Sequence, residues 1–100
     1  ALLEQKAPAR SRELWGVQLG AFKRQDAAHA QIARASSADP WLVASTDASV
    51  SEAETARGTL YRARFVGLSE TAARDACRRL INQDIGCIAV QIRGVSRLSP

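Results

Sequence analysis

The sequence predicts an α+β domain of βαββαβ order, RNP/ferredoxin-like, with a four-stranded antiparallel sheet, two helices on one face and the other face open. Three observations predict it. The segments Trp15 to Phe22 and Thr59 to Val66 both alternate apolar and polar residues, the period of a half-buried strand. Ala73, Ala76, Cys77, Leu80 and Ile81 recur at helical spacing, with Arg74, Asp75, Arg78 and Arg79 between them. Finally, each half of the chain reads strand, helix, strand, and right-handed crossovers put both helices on the same side of the sheet.

The 100 residues form one small domain, whose folding buries only about two-thirds of the surface the unfolded chain exposes. Of the apolar 46%, alanine contributes 19 residues, against 22 for Leu, Ile, Val and Phe together, so the predicted core is thin and the helices lie close to the sheet. A domain this size has no room for separate cofactor and substrate lobes. No run approaches the 18 or so apolar residues of a membrane span, which argues against direct membrane insertion.

Before the first strand, residues 1–12 are polar and proline-containing and read as the end of a linker, which suggests a piece of a larger protein. The folded domain is expected over residues 13–92. In the first strand Trp15, Val17 and Leu19 share one face and Gly16, Gln18 and Gly20 the other. Arg24 to about Ala35 are good helix formers with Asp26 in the first turn, where the helix dipole favours an acid. Ser36 to Pro40 is turn chemistry, and a second strand is expected to begin near Trp41. From Leu42 to Arg57 the pattern suggests an exposed edge strand running into a long hairpin connection.

Gly58 supplies the next turn. The third strand then places Tyr61, Ala63 and Phe65 on one face and Leu60, Arg62 and Arg64 on the other, and Gly67-Leu68-Ser69 breaks it. Ser69 before Glu70 is a helix start. That second helix ends between Asn82 and Gly86, Cys87 to Ile92 forms a last short strand, and residues 93–100 are a tail.

Net charge is +4, and its distribution matters more than its sum. Residues 1–58 carry seven basic and seven acidic side chains, whereas 59–100 carry seven and three. With 12 Arg against 2 Lys, flat forked donors dominate, which suits hydrogen bonding to planar or polyol groups. An open sheet face carrying Gln18, Arg62 and Arg64 is the natural place for an anionic or oxygen-rich ligand. Taken alone, alternation would account for each of these as ordinary solvent-facing polarity.

Catalysis finds little to work with. The single histidine, His29, has no nucleophile or carboxylate pair tied to it, and Cys77, Cys87 and His29 are too few and too scattered for a metal. The glycines at 16 and 20 sit in a strand and do not open a phosphate-binding helix. The chain reads as a binding module with no cofactor and no metal. Cys77 on the inner face of the second helix and Cys87 at the start of the last strand either form a disulfide or remain two buried thiols. The disulfide is favoured, and it implies an oxidising compartment such as the periplasm.

The segments Trp15-Gly16-Val17-Gln18-Leu19-Gly20-Ala21-Phe22 and Leu60-Tyr61-Arg62-Ala63-Arg64-Phe65, the Gly67-Leu68-Ser69 break before an alanine-rich helix, and a final Cys87-Ile88-Ala89-Val90 together resemble a SPOR (sporulation-related repeat) domain. The resemblance runs from about Glu13 to Gln91. It is nearest to the C-terminal SPOR domains of alphaproteobacterial D-alanyl-D-alanine carboxypeptidases. What it implies is a peptidoglycan-binding module that recognises glycan strands lacking stem peptides and brings its parent protein to the division septum in the periplasm.

Carried over by position, the resemblance assigns the glycan groove to Gln18, Ala21, Leu60, Arg62 and Ile88, and the polar face adds Arg64. Ala21 stands where serine is common in the family, Leu60 where some members have an aromatic ring, and Val66-Gly67 where Gly-Pro is usual. Gln18 and the two arginines supply donors for hydroxyl and N-acetyl groups, and Leu60 and Ile88 an apolar floor for sugar C–H faces. If Ile88 faces the groove, Cys87 and Ala89 face the helices. The domain is expected to be monomeric. Two other functions share the pattern: RRM-like single-stranded RNA binding, which the inward face of Tyr61 and Phe65 disfavours, and protein interaction through the edge strand.

Overall fold

A computed structural model describes residues 14–92; the linker expected at 1–12 and the tail expected at 93–100 lie outside the described residues. The elements are β1 (Trp15–Phe22), α1 (Gln25–Ala38), α2 (Pro40–Ser45), β2 (Asp47–Thr55), β3 (Gly58–Leu68), α3 (Glu70–Ile81) and β4 (Ile88–Gln91). The four strands form one sheet in the order β2-β3-β1-β4, every neighbour antiparallel, so the α+β architecture read from the sequence stands.

The core lies between the sheet and the helices. Val17 and Leu19 of β1 and Ala63, Phe65 and Leu68 of β3 are buried against Ala28 and Ala35 of α1 and Ala73, Ala76, Cys77 and Leu80 of α3. Five of these are alanines with no exposed surface, which lets both helices approach the sheet closely. Phe65 and Leu80 supply the bulk, each worth about 1.5–3 kcal/mol on burial. Helix α3 begins where Ser69 Oγ accepts a hydrogen bond from the Ala72 N–H at 3.1 Å, an N-cap that satisfies one of the free amides of the first turn.

Four local expectations are corrected. The segment expected to start a strand near Trp41 is helical: Pro40 opens α2, where its missing N–H costs nothing, and Leu42 is fully buried beneath it. The layer therefore holds three helices among the described residues, and α1 runs to Ala38, past the expected end at Ala35. Asp39, buried at the junction, receives Arg79 Nε of α3 at 2.9 Å, a long-range link that no local pattern encodes. Secondly, β2 and β3 are joined by a tight two-residue connection, Ala56-Arg57, in place of a long one; Thr55 Oγ1 braces it by donating to the Gly58 carbonyl and accepting from the Arg57 N–H.

Thirdly, Gly67 does not break β3. It is the extra residue of a β-bulge, at φ 107°, and the strand continues to Leu68, which pairs with Trp15. Lastly, β4 is shorter than expected: Cys87 precedes it and Ile92 follows it. Cys77 and Cys87 are joined in a disulfide that ties α3 to the approach to β4.

Candidate binding face

Antiparallel partners share a face of the sheet, so the register specifies what the uncovered side presents. One row runs across all four strands: Ser49, Arg64, Gln18 and Ile88. Above it lie Ser51, Arg62 and Ala21, then Ala53 and Leu60; below it lie Asp47, Val66, Gly16 and Val90. Strand spacing makes this face about 14 Å wide, and the three two-residue steps from Leu60 to Val66 make it about 20 Å long.

A second β-bulge decides the membership of β1. Strict alternation from Gln18 would put Gly20 on this face and turn Ala21 inward. Leu19 instead falls outside the pairing between Gln18↔Arg64 and Gly20↔Ala63, so Leu19 and Gly20 both turn to the helices and Ala21 returns to the open side opposite Arg62. Glycine is required there: Gly20 has φ 155°, and a Cβ would press on the Phe22 ring at 3.0 Å.

All six residues expected to contact ligand therefore lie on the open face. Arg64, Gln18 and Ile88 adjoin in one row, Arg62 and Ala21 in the next, and Leu60 stands at the rim beyond the last β1–β3 pair. Ile88 is 57% exposed, an unusual state for isoleucine in a small domain whose other β4 side chain of note, Ala89, packs on the core. Cys87 also packs on the core, as the outward direction of Ile88 requires.

Arg64 Nε donates to Gln18 Oε1 at 2.8 Å. Because arginine has no acceptor, this bond turns the Gln18 carbonyl toward Arg64 and its NH₂ group outward. Burial, and then the positive charge of Arg62, push the Arg64 guanidinium below its ordinary pKa, though an arginine remains a cation at any physiological pH. Four arginines of the helix layer differ, while Arg34 of α1 donates to the Asp84 backbone carbonyl. Arg24 pairs with Asp26, Arg74 with Glu70, Arg78 with Asp75 and Arg79 with Asp39, whereas neither Arg62 nor Arg64 is ion-paired among the described residues.

Ser49 and Ser51, level with Arg64 and Arg62, are among the members of the face that the sequence did not single out, with Asp47, Ala53 and Val90. Between Leu42 and Arg57 the sequence suggested only an exposed edge strand, which left these two serines without a register. At the lower end of the sheet a cleft of about 450 Å³ opens among Ser45, Asp47, Val66 and Ile92, touching the face only through its bottom row. Among the described residues no group of three or more His, Cys, Asp or Glu is placed to hold a metal ion, and no helix is long and apolar enough to cross a membrane. His29 is exposed on α1.

The sequence model of the SPOR domain matches residues 11–91. The chain belongs to the SPOR domain family. The crystal structure of the RlpA SPOR domain from Pseudomonas aeruginosa is similar to this SPOR domain with a TM-score of 0.63 at 20% sequence identity, over 77% of this chain and 97% of that chain. At that identity the likeness is one of fold, and it supports the four-stranded sheet with a helical layer. No curated protein matches the chain at a significant level. SPOR domains are peptidoglycan-binding modules and not catalysts.

Proposed function

We propose that the open sheet face binds peptidoglycan glycan strands that lack stem peptides, and that this binding carries the parent protein to the division septum in the periplasm. The observation that carries the reading is the row Arg64, Gln18, Ile88: a bonded pair of polar side chains beside an exposed isoleucine, on a face that no helix covers. A sugar ring has an equatorial rim of hydroxyl and N-acetyl groups and an apolar C–H face. The two arginines and the Gln18 amide serve the first, while Ile88, Val90 and Leu60 serve the second. A long, shallow, uncovered surface also suits a polymer that must lie along it, which an enclosed pocket would not admit.

The test is a pull-down of the chain with purified sacculi, comparing intact material with sacculi stripped of stem peptides by an amidase. Enrichment on the stripped sacculi, reduced by Arg62→Ala and by Gln18→Ala at unchanged melting temperature, is the expected result. Equal retention on both, or retention on neither, would remove the denuded-glycan reading. Stacking recognition of RNA has no support on this face: Phe65 is buried, Tyr61 shares its side of β3, and none of the open-face residues is aromatic.

A further inference from the structure

We propose that this face recognises the missing stem peptide as a charge: the carboxylate of the sugar's lactyl group, set free when the peptide amide is cut, is bound between Arg62 and Arg64. The inference rests on the glycan reading above and names the chemical group within it. At the centre of the face the two guanidinium groups and the Gln18 amide present donors, while Asp47, the carboxylate on this face, stands in the bottom row on the edge strand. Arg62 and Arg64 have no acceptor to give, and Arg64 holds the one carbonyl nearby, that of Gln18, so the Gln18 NH₂ projects alongside them. Ser49 and Ser51 hydroxyls flank the pair and adapt to either role. A neutral sugar, whose hydroxyls donate as well as accept, makes no special use of such a centre, whereas a carboxylate accepts about four hydrogen bonds and donates none.

Charge placement points the same way. Four arginines of the helix layer are neutralised by carboxylates; of the four described arginines outside ion pairs, Arg34 lies on α1 and Arg57 in the β2–β3 turn, while Arg62 and Arg64 adjoin on one face. Arg62 and Arg64 lie a two-residue step apart on one face, about 6.8 Å along the strand, closer than the span of a disaccharide, so a single anion can lie within reach of both. In the free protein the two cations oppose one another, and Arg64 is partly desolvated as well. A bound carboxylate relieves both. A peptide-bearing strand presents an uncharged amide at the same position and gains neither relief nor charge-assisted bonds.

The experiment separates charge from bulk. Glycan fragments from amidase-treated sacculi are used as they are, or after coupling their carboxyl groups to methylamine, which removes the charge and adds only a methylamide. Affinity for the capped fragments is expected to fall roughly tenfold or more, the difference between charge-assisted and neutral hydrogen bonds. Arg62→Gln is expected to abolish the preference for uncapped over capped fragments, and Arg62→Lys to restore part of it; a merely structural role would weaken both ligands alike. Equal binding of capped and uncapped fragments overturns the charge inference and leaves the glycan reading standing. Binding of neither fragment by the folded wild-type chain overturns both.

Discussion

Gly16 sits where β1 and β3 approach too closely for any side chain. A Cβ there would fall 2.4 Å from the Phe65 carbonyl oxygen and 3.1 Å from Val66 Cα, both backbone atoms that cannot rotate away. Gly16→Ala must therefore part the two central strands at the lower edge of the open face. The expected cost is about 1–3 kcal/mol, read as a lower urea midpoint at unchanged m value. Gly67 offers a control with a different cause. Its Cβ would meet nothing within 4 Å, but φ 107° is unfavourable for any L side chain, so Gly67→Ala should cost about 1–2 kcal/mol through the backbone alone. If Gly16→Ala unfolds at the wild-type urea concentration, the β1–β3 register described above is wrong.

At the scale of elements, β4 is the part of the open face with least to hold it. It has four residues, pairs only with β1, and packs on the core through Ala89. The Cys77–Cys87 disulfide anchors its entrance to α3, one residue before Ile88. Closing a loop with ten residues of separation contributes about 3 kcal/mol. Replacing both cysteines with alanine should lower stability by about that amount, and amide hydrogen exchange should accelerate most in Ile88–Gln91. Uniform acceleration across β3 and β4 would show that the disulfide does not serve this strand in particular. Helix α3 should behave differently: Leu80→Ala, at a site with no exposed surface, should cost about 2–5 kcal/mol and loosen the whole domain. These elements also mark how far the sequence could be read. Strands β1 and β3 and helix α3 declared themselves through periodicity, because each buries one face and exposes the other. Helix α2 did not, since six residues are too short for a period and its position depends on Asp39 meeting Arg79, forty residues away. The arginines and Gln18 were legible as polar positions of clean strands. Their bond to each other, the return of Ala21 to the open face and the serines beside them depend on two bulges and a register that only the assembled sheet fixes.

For the molecule as a whole, the position of charge should count for more than its amount. The sequence carries a net +4, yet the arginines of α3 face Glu70, Asp75 and Asp39, and among the described residues the open face is where two guanidinium groups without an ion-pair partner stand side by side. Arg74→Gln and Arg62→Gln lower the net charge equally. The first breaks an exposed ion pair, which is worth about 0–1 kcal/mol, on the side of the molecule opposite the open face. It should leave sacculus binding near the wild-type level. The second removes a cation from the face itself and relieves its repulsion on Arg64, so the melting temperature should hold or rise slightly while binding falls. Ionic strength adds a further discrimination, because salt screens solvent-exposed charges over about 10 Å at 0.1 M. Binding by the wild type and by Arg74→Gln should weaken with added salt to the same degree, and that of Arg62→Gln less steeply. Equal losses of binding for the two variants would mean that the chain holds peptidoglycan through overall basicity, and the assignment of the open face would fall with it.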